Sequence, residues 1–273
     1  AFPARATYFE AEGRAGNTRM NWISNYVRPT INSLFSRREV PENLWTKCPE
    51  CGTMLFHREL KDNQNVCTNC DHHMQISPRE RFATLFDGGI FTEVKVPVPV
   101  ADPLQFRDQK KYPDRMKAAQ KETGEKEAML VAEGEIARTR VVVAAQNFAF
   151  MAGSMGMTGE IKVTRLRELA LSKRIPMVWL LDSAGARIQE AVGSLFAGTG
   201  HLFREEAVMS GVVPQVAALM GPCAAGTAYI PALADFVPMV SGRGSMALAG
   251  PHLVRAAIGE DVTQEELGGA RVH

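Results

Sequence analysis

The stretch Ile175–Ala197, IPMVWLLDSAGARIQEAVGSLFA, decides how this chain is read. Met177-Val178-Trp179-Leu180-Leu181 is a short continuous apolar run behind Pro176, the pattern of a strand covered on both faces. Asp182-Ser183-Ala184-Gly185-Ala186 interrupts it with residues too small to obstruct a ligand. A helical pattern begins near Arg187 and runs to about Phe203. Backbone N–H groups at such a junction have no partner within the helix and point outward. They suit an oxygen that gains negative charge during a reaction. Most turns of this kind are only structural, and both readings stand at this point.

Units of the same plan lie on either side. Val141–Ala145 is a buried strand, followed by the small-residue loop Ala152-Gly153-Ser154-Met155-Gly156 and a helix over Glu160–Lys173. Val213–Leu219 reads as a strand, Gly221–Gly226 as a loop and Thr227–Ala234 as a helix. Strands at Phe236–Val240 and Ser245–Leu248 and a helix at His252–Ile258 complete the series. Repeated strand–loop–helix units stack so that each buries its strands against the next, which predicts an α/β fold. A dinucleotide-binding unit fits less well, because no Gly-x-Gly-x-x-Gly follows a strand in the required place.

Upstream, Cys48/Cys51 and Cys67/Cys70 form two Cys-x-x-Cys pairs. Each pair can present two sulfurs to one ion, and the segment between them is long enough for a hairpin with strands at Thr53–Phe56 and Asn65-Val66. Four thiolates in tetrahedral array make a structural zinc site; a redox dithiol or an iron–sulfur centre is the other reading. His57, His72 and His73 read as surface residues. Ser77-Pro78 starts a helix that Asp87-Gly88-Gly89 stops. Residues 105–127 carry a dense run of mixed charge: a solvated helix face, or a basic rim of Lys110, Lys111 and Arg115 beside a phosphorylated ligand. Domain boundaries are expected at 1–40 for an N-terminal arm, 41–75 for the zinc ribbon and 76–273 for the α/β domain, with residues 1–19 an upstream extension or a cloning remnant.

The totals exclude several classes. The chain has 273 residues, 45% of them hydrophobic and 22% charged, and a net charge of +1, so no global basic field marks it for nucleic acid. No apolar run is long enough to span a membrane, and the N-terminus has no signal-peptide core, so a cytoplasmic location is expected. No nucleophile stands beside a base. Ser183 lacks the Gly-x-Ser-x-Gly elbow, Cys223 reads as a small core residue, His201 and His252 are isolated, and Glu160 and Glu190 are helix-face carboxylates with no visible partner. Backbone amides stabilising an enolate or thioester oxyanion fit that absence.

Residues 20–157, with WTKCPECG, VCTNCDHHM, FRDQKKYPDRMKAAQKETGEKEA and NFAFMAGSMGM, resemble the carboxyltransferase β subunit of bacterial acetyl-CoA carboxylase. Residues 158–273, with LLDSAGARIQEAV, VPQVAALMGPCAAGTAYIPALADF and GPHLVRAAIGEDVTQEELGGARVH, resemble the N-terminal half of acyl-CoA carboxylases acting on propionyl- or methylcrotonyl-CoA. Both branches share a crotonase-like superhelix of ββα units. The resemblance implies that the amides of Ala184 and Gly185 form an oxyanion hole. It implies that Gly153, Ser154, Met155 and Gly156, with Ala224, Ala225 and Gly226, line an acyl-CoA groove. Alanine at 184 replaces the glycine of many members, and the role survives unless the turn needs positive φ there. The implied reaction moves a carboxyl group from carboxybiotin to acetyl-CoA, giving malonyl-CoA. The implied partners are an α-type carboxyltransferase subunit, a biotin carboxyl carrier protein and biotin carboxylase in a hetero-oligomer, so that this chain holds half of an active site. Propionyl-CoA or another acyl-CoA is the alternative substrate. A nucleic-acid-binding zinc ribbon, with Lys47, Arg58 and Lys61 as local charge, is the alternative of another class.

Overall fold

The computed structural model describes residues 44–99, 102–190 and 199–273, and the chain divides into two units at His72/His73. The expected arm at 1–40 lies outside the described residues.

In the first unit, β1 (Trp45–Lys47) pairs antiparallel with β2 (Met54–Phe56), and the first cysteine pair sits in the turn between them. Helix α1 (His57–Asp62) follows at once and buries Leu60. The hairpin strand expected at Asn65-Val66 does not form. Gln64 and Asn65 adopt left-handed backbone (φ 53° and 60°), which bends the chain towards the second cysteine pair instead of extending it.

The second unit begins with α2 (Pro78–Leu85). Ser77 and Glu80 form a reciprocal capping box and Pro78 opens the first turn, as the sequence predicts. β3 (Phe91–Glu93) follows. The mixed-charge run becomes α3 (Tyr112–Thr123), which ends on left-handed Gly124 and buries Tyr112 and Ala119. β4 (Met129–Ile136) and β5 (Thr139–Gln146) make an antiparallel hairpin. Then come α4 (Met157–Lys173), β6 (Met177–Ser183), α5 (Thr199–Met209) and β7 (Gln215–Ala224). The last elements are α6 (Tyr229–Leu233), β8 (Ser245–Ala247), α7 (Pro251–Ile258) and α8 (Gln264–Gly268). Six strands form one mixed sheet in the order β3-β4-β5-β6-β7-β8. It is antiparallel through β5 and parallel from β5 to β8.

Alternate residues of the central strands face two cores. Val142, Ala144, Trp179 and Leu181 meet Val163, Leu166 and Ala170 of α4 on one face. Val141, Val143, Ala145 and Leu180 meet Phe82 and Phe86 on the other. Burial on both sides explains why Met177–Leu181 is apolar throughout.

Three boundaries differ from the sequence reading. β7 runs on through Gly221-Pro222-Cys223-Ala224, because Ser183 on one side and β8 on the other pair with that segment. A 3-10 turn, Ile188–Glu190, stands where a helix was expected to begin; the part of that helix expected over 191–198 lies outside the described residues, and Thr199–Met209 is helical. Arg187 and Glu190 are buried there, so the turn serves an ion cluster and not a solvated helix face. Phe236–Val240 makes only isolated bridges, from Phe236 to Val216 and from Met239 to Leu219. Pro238 between them has no N–H to continue a ladder.

Candidate functional site: a groove at the carboxyl ends of β5, β6 and β7

The three small-residue loops that the sequence places at strand ends meet in space. Met155 N–H donates to the Gly185 carbonyl at 2.9 Å, and Arg187 N–H donates to the Met155 carbonyl at 2.8 Å, so the loop after β5 lies along the turn after β6. A β-carbon on Gly153 would fall 2.0 Å from the Asp182 carbonyl oxygen. On the other flank, a β-carbon on Gly185 would lie 3.0 Å from the Ala224 carbonyl and 3.1 Å from Ala225 Cβ. The backbone is contorted at all three places. Met151, Ala152 and Gly153 have φ of 50°, 55° and 64°, Gly185 has 105° and Ala225 has 53°. Left-handed non-glycine residues of this kind cluster at functional sites. Ala184 is not among the left-handed residues, so alanine meets the condition that the sequence set for that position.

Both amides of the suspected oxyanion pair have internal acceptors. Ala184 N–H donates to the Ala152 carbonyl at 2.9 Å, and Gly185 N–H donates to Ser183 Oγ at 3.0 Å. Ser183 Oγ in turn donates to the Gly153 carbonyl at 2.9 Å. Ser183 is thus a brace of the turn.

Beside the turn lies a groove of about 800 Å³, lined by Ser154, Ala184 and Ala186 together with Lys110, Asp114, Arg115 and Glu122; of the residues expected to line an acyl-CoA groove, Ser154 alone does so. That volume is within the range of sites for organic ligands. Of the basic residues singled out in the mixed-charge run, Lys110 and Arg115 face this space. Arg115 forms an ion pair with Asp108, and its guanidinium holds that carboxyl below the usual range.

Behind the turn lies a buried cluster that sequence reasoning missed. Arg187 makes a two-pronged ion pair with Glu127, Nη2 to Oε1 at 2.5 Å and Nη1 to Oε2 at 2.9 Å. Its Nη1 also donates to Glu190 Oε1 at 3.1 Å, and Tyr112 Oη donates to the same Glu190 oxygen. Glu190, read from sequence as lacking a partner, therefore has several. Burial disfavours the Arg187 charge, but the hydrogen bond and field of Glu127 outweigh it and hold the guanidinium protonated. Burial pushes the Tyr112 phenol well above its usual value. Only the i,i+3 spacing of Arg187 and Glu190 hinted at this cluster.

The opposite side of the turn carries Asp182. Its carboxylate packs where a β-carbon on Gly221 would have to sit, 2.1 Å from Oδ1. Burial pushes it up to about 6, against the pull of Arg81 and Arg243. Cys223 is a core thiol, as expected: it donates to the Thr227 carbonyl at 3.2 Å and burial pushes it up to about 12.

In the first unit, the sulfurs of Cys48, Cys51, Cys67 and Cys70 all lie within 4.8 Å of one another. Cys48 Sγ–Cys70 Sγ and Cys51 Sγ–Cys67 Sγ are both 3.7 Å. Tetrahedral zinc with bonds of about 2.3 Å requires sulfur–sulfur edges of about 3.8 Å, so the residues fit that ion. The three nearby histidines are not part of the cluster.

A crotonase-like α/β domain, with a ligand groove at the strand ends and a four-cysteine zinc ribbon before it, defines the class. The model of the carboxyl transferase domain matches residues 78–273, continuously through Met157-Thr158, and that of the acetyl-CoA carboxylase zinc finger domain matches residues 45–70. Among similar curated proteins is the acetyl-coenzyme A carboxylase carboxyl transferase subunit beta of Dinoroseobacter shibae. It is 54% identical over 245 residues, covering 90% of this chain and 77% of its own. The corresponding subunit of a Jannaschia species is 51% identical over the same length. Among solved structures, transcarboxylase 12S with hydrolysed methylmalonyl-coenzyme A bound is 34% identical with a TM-score of 0.60, covering 80% of this chain. The β subunit of geranyl-CoA carboxylase from P. aeruginosa is 32% identical with a TM-score of 0.56, covering 73% of this chain. The chain spans 38% and 34% of those two solved chains. The chain belongs to the carboxyl transferase family, among the beta subunits of acetyl-CoA carboxylase. Among the described residues, no helix is long and apolar enough to cross a membrane.

Proposed function

We propose that this chain is the thioester-binding half of a biotin-dependent carboxyltransferase, and that it carboxylates acetyl-CoA to malonyl-CoA. The observation that carries the reading is the groove at the β6 turn, which Ala184 and Ser154 line together with Lys110 and Arg115. The acyl thioester would lie against the small residues, and Lys110 and Arg115 would meet the phosphates of its CoA. The thioester oxygen would take hydrogen bonds from the amides of Ala184 and Gly185, which it would have to share with or take from their internal acceptors, the Ala152 carbonyl and Ser183 Oγ. That stabilises negative charge on the oxygen as a proton leaves the α-carbon. The α-carbon then forms its new bond to carbon dioxide released from carboxybiotin, and the departing proton passes to the biotin nitrogen. This route needs no side-chain base, and the groove's carboxylates, Asp114 and Glu122, have no part in it.

Carboxybiotin arrives as a substrate on a separate carrier protein, and an α-type subunit would complete the site. The beta-subunit relatives support a partnered assembly. Zinc held by Cys48, Cys51, Cys67 and Cys70 would supply folding stability to the ribbon. The test is transfer of labelled carboxyl from the loaded carrier to acetyl-CoA by this chain with an α-type subunit. Labelled malonyl-CoA is the expected product, and its absence under conditions where an authentic beta subunit makes it would overturn the reading.

A further inference from the structure

We propose that Arg187 is a positioning residue for carboxyl transfer, which fixes the Ala184–Ala186 turn against both the loop after β5 and the Lys110–Arg115 segment that lines the groove. This rests on the function proposed above.

Arg187 is 1% exposed, and every nitrogen of its guanidinium has a partner. Nε donates to Ser154 Oγ at 3.1 Å and Nη2 to the Ser154 carbonyl at 2.5 Å. Those contacts set a residue that lines the groove. Its own N–H and the Gly185 carbonyl bracket Met155, so side chain and backbone clamp the same loop. Nη1 reaches Glu190, whose Oε2 accepts the Met157 N–H at 2.6 Å and so caps the start of α4. Through Glu190, Tyr112 at the first turn of α3 is drawn into the cluster. Lys110 and Arg115, which line the groove, flank Tyr112 in sequence, so this contact ties their segment to the cluster. Glu127 balances the buried charge and orients the fork. There is no slack in the packing: a β-carbon on Gly156 would lie 2.6 Å from Arg187 Nη1 and 2.7 Å from Glu190 Oε2.

The geometry needs a fork. Lysine keeps the charge but presents a single nitrogen, and it cannot hold Ser154, Glu127 and Glu190 at once. A turn released by even about 1 Å loses alignment with the reacting carbonyl, at a cost of roughly 10- to 100-fold in rate. The cost falls on the transition state more than on ground-state binding.

The experiment compares wild type, Arg187→Lys and Tyr112→Phe, each assembled with the α-type subunit and the loaded carrier, for kcat, KM for acetyl-CoA and thermal midpoint. Arg187→Lys is expected to lower kcat by roughly 10- to 100-fold with KM within about threefold. Tyr112→Phe removes one oxygen, and is expected to lower kcat by about 3- to 10-fold in the same pattern. If Arg187→Lys does not fold, Tyr112→Phe alone decides. Variants that keep kcat within twofold of wild type, or that lose thermal midpoint without losing kcat, overturn the positioning role. A wild-type assembly with no carboxyl transfer would refute the functional reading itself, independently of either variant.

Discussion

The carbonyl oxygen of Asp182 lies 2.0 Å from the position a β-carbon on Gly153 would take. Two strand ends 29 positions apart in sequence therefore touch backbone to backbone, and the floor of the groove depends on that approach. Gly153→Ala is expected to separate them, with left-handed strain of about 1–3 kcal/mol added at φ 64°. A thermal midpoint lowered by several degrees, with carboxyl transfer reduced at least tenfold, is the expected result. Wild-type activity would show that the approach is incidental.

Gly185→Ala tests the other flank of the turn. Its φ of 105° is poorly tolerated by alanine, and the new methyl would press on the Ala224 carbonyl. Activity is expected to fall more than stability, because the displaced amide is one of the proposed oxyanion donors and losing such a donor costs roughly 100- to 1,000-fold in kcat. Unchanged kcat would remove Gly185 from the oxyanion role.

Lys110→Glu reverses a charge in the groove that the thioester turn lines. KM for acetyl-CoA is expected to rise at least tenfold at low ionic strength and the difference to shrink in salt, with kcat changed far less. A salt-independent loss confined to kcat would mean that Lys110 does not meet the CoA phosphates.

Removing zinc is expected to unfold the ribbon. Leu55 and Leu60 are its buried aliphatic side chains, so the metal supplies most of what a core would. Metal analysis should give one zinc per chain. Cys67→Ser should lose it and render residues 44–72 sensitive to protease. Retention of tight zinc by that variant would contradict the four-cysteine site.

Glu206 on α5 lies 3.9 Å from Arg167, and among the described residues neither of its carboxylate oxygens has a hydrogen-bond partner. Burial pushes Glu206 up to about 7, with Arg167 opposing and Glu160 adding to the rise, and burial pushes Glu160 up to about 7 as well. A carboxyl raised in the folded state stabilises the protein fully below its unfolded value of 4.5, and that contribution is lost as pH rises through about 7. Each proton released in that window costs about 1.4 kcal/mol per pH unit. Stability is therefore expected to fall from pH 4.5 to 7 through these two groups, and Glu206→Gln to flatten the slope. Denaturant midpoints across that range measure it; an identical slope in the variant would contradict it.

What the sequence made legible was local. The zinc ligands are two short spacings, and the helix at Ser77 starts with residues that cap one another. The strand under the turn shows as an apolar run because both its faces are covered. The Arg187 cluster was hidden because its members are remote: Tyr112 and Glu190 are separated by 78 positions, and Glu127 and Arg187 by 60. The i,i+3 spacing points from Glu190 to Arg187, but nothing in that neighbourhood announces Tyr112 or Glu127. The end of β7 was misread for the opposite reason. Gly221-Pro222 has the composition of a loop, yet Asp182 needs the space left by that glycine, and both neighbouring strands pair across the segment.

The most direct test of the groove's function is the ratio of kcat/KM for acetyl-CoA to that for propionyl-CoA, with the α-type subunit and loaded carrier present. A clear preference for acetyl-CoA, lost together with activity in Gly185→Ala, is the expected result. Equal or better use of propionyl-CoA, or transfer that survives the loss of the Ala184–Gly185 amides unaltered, would contradict it.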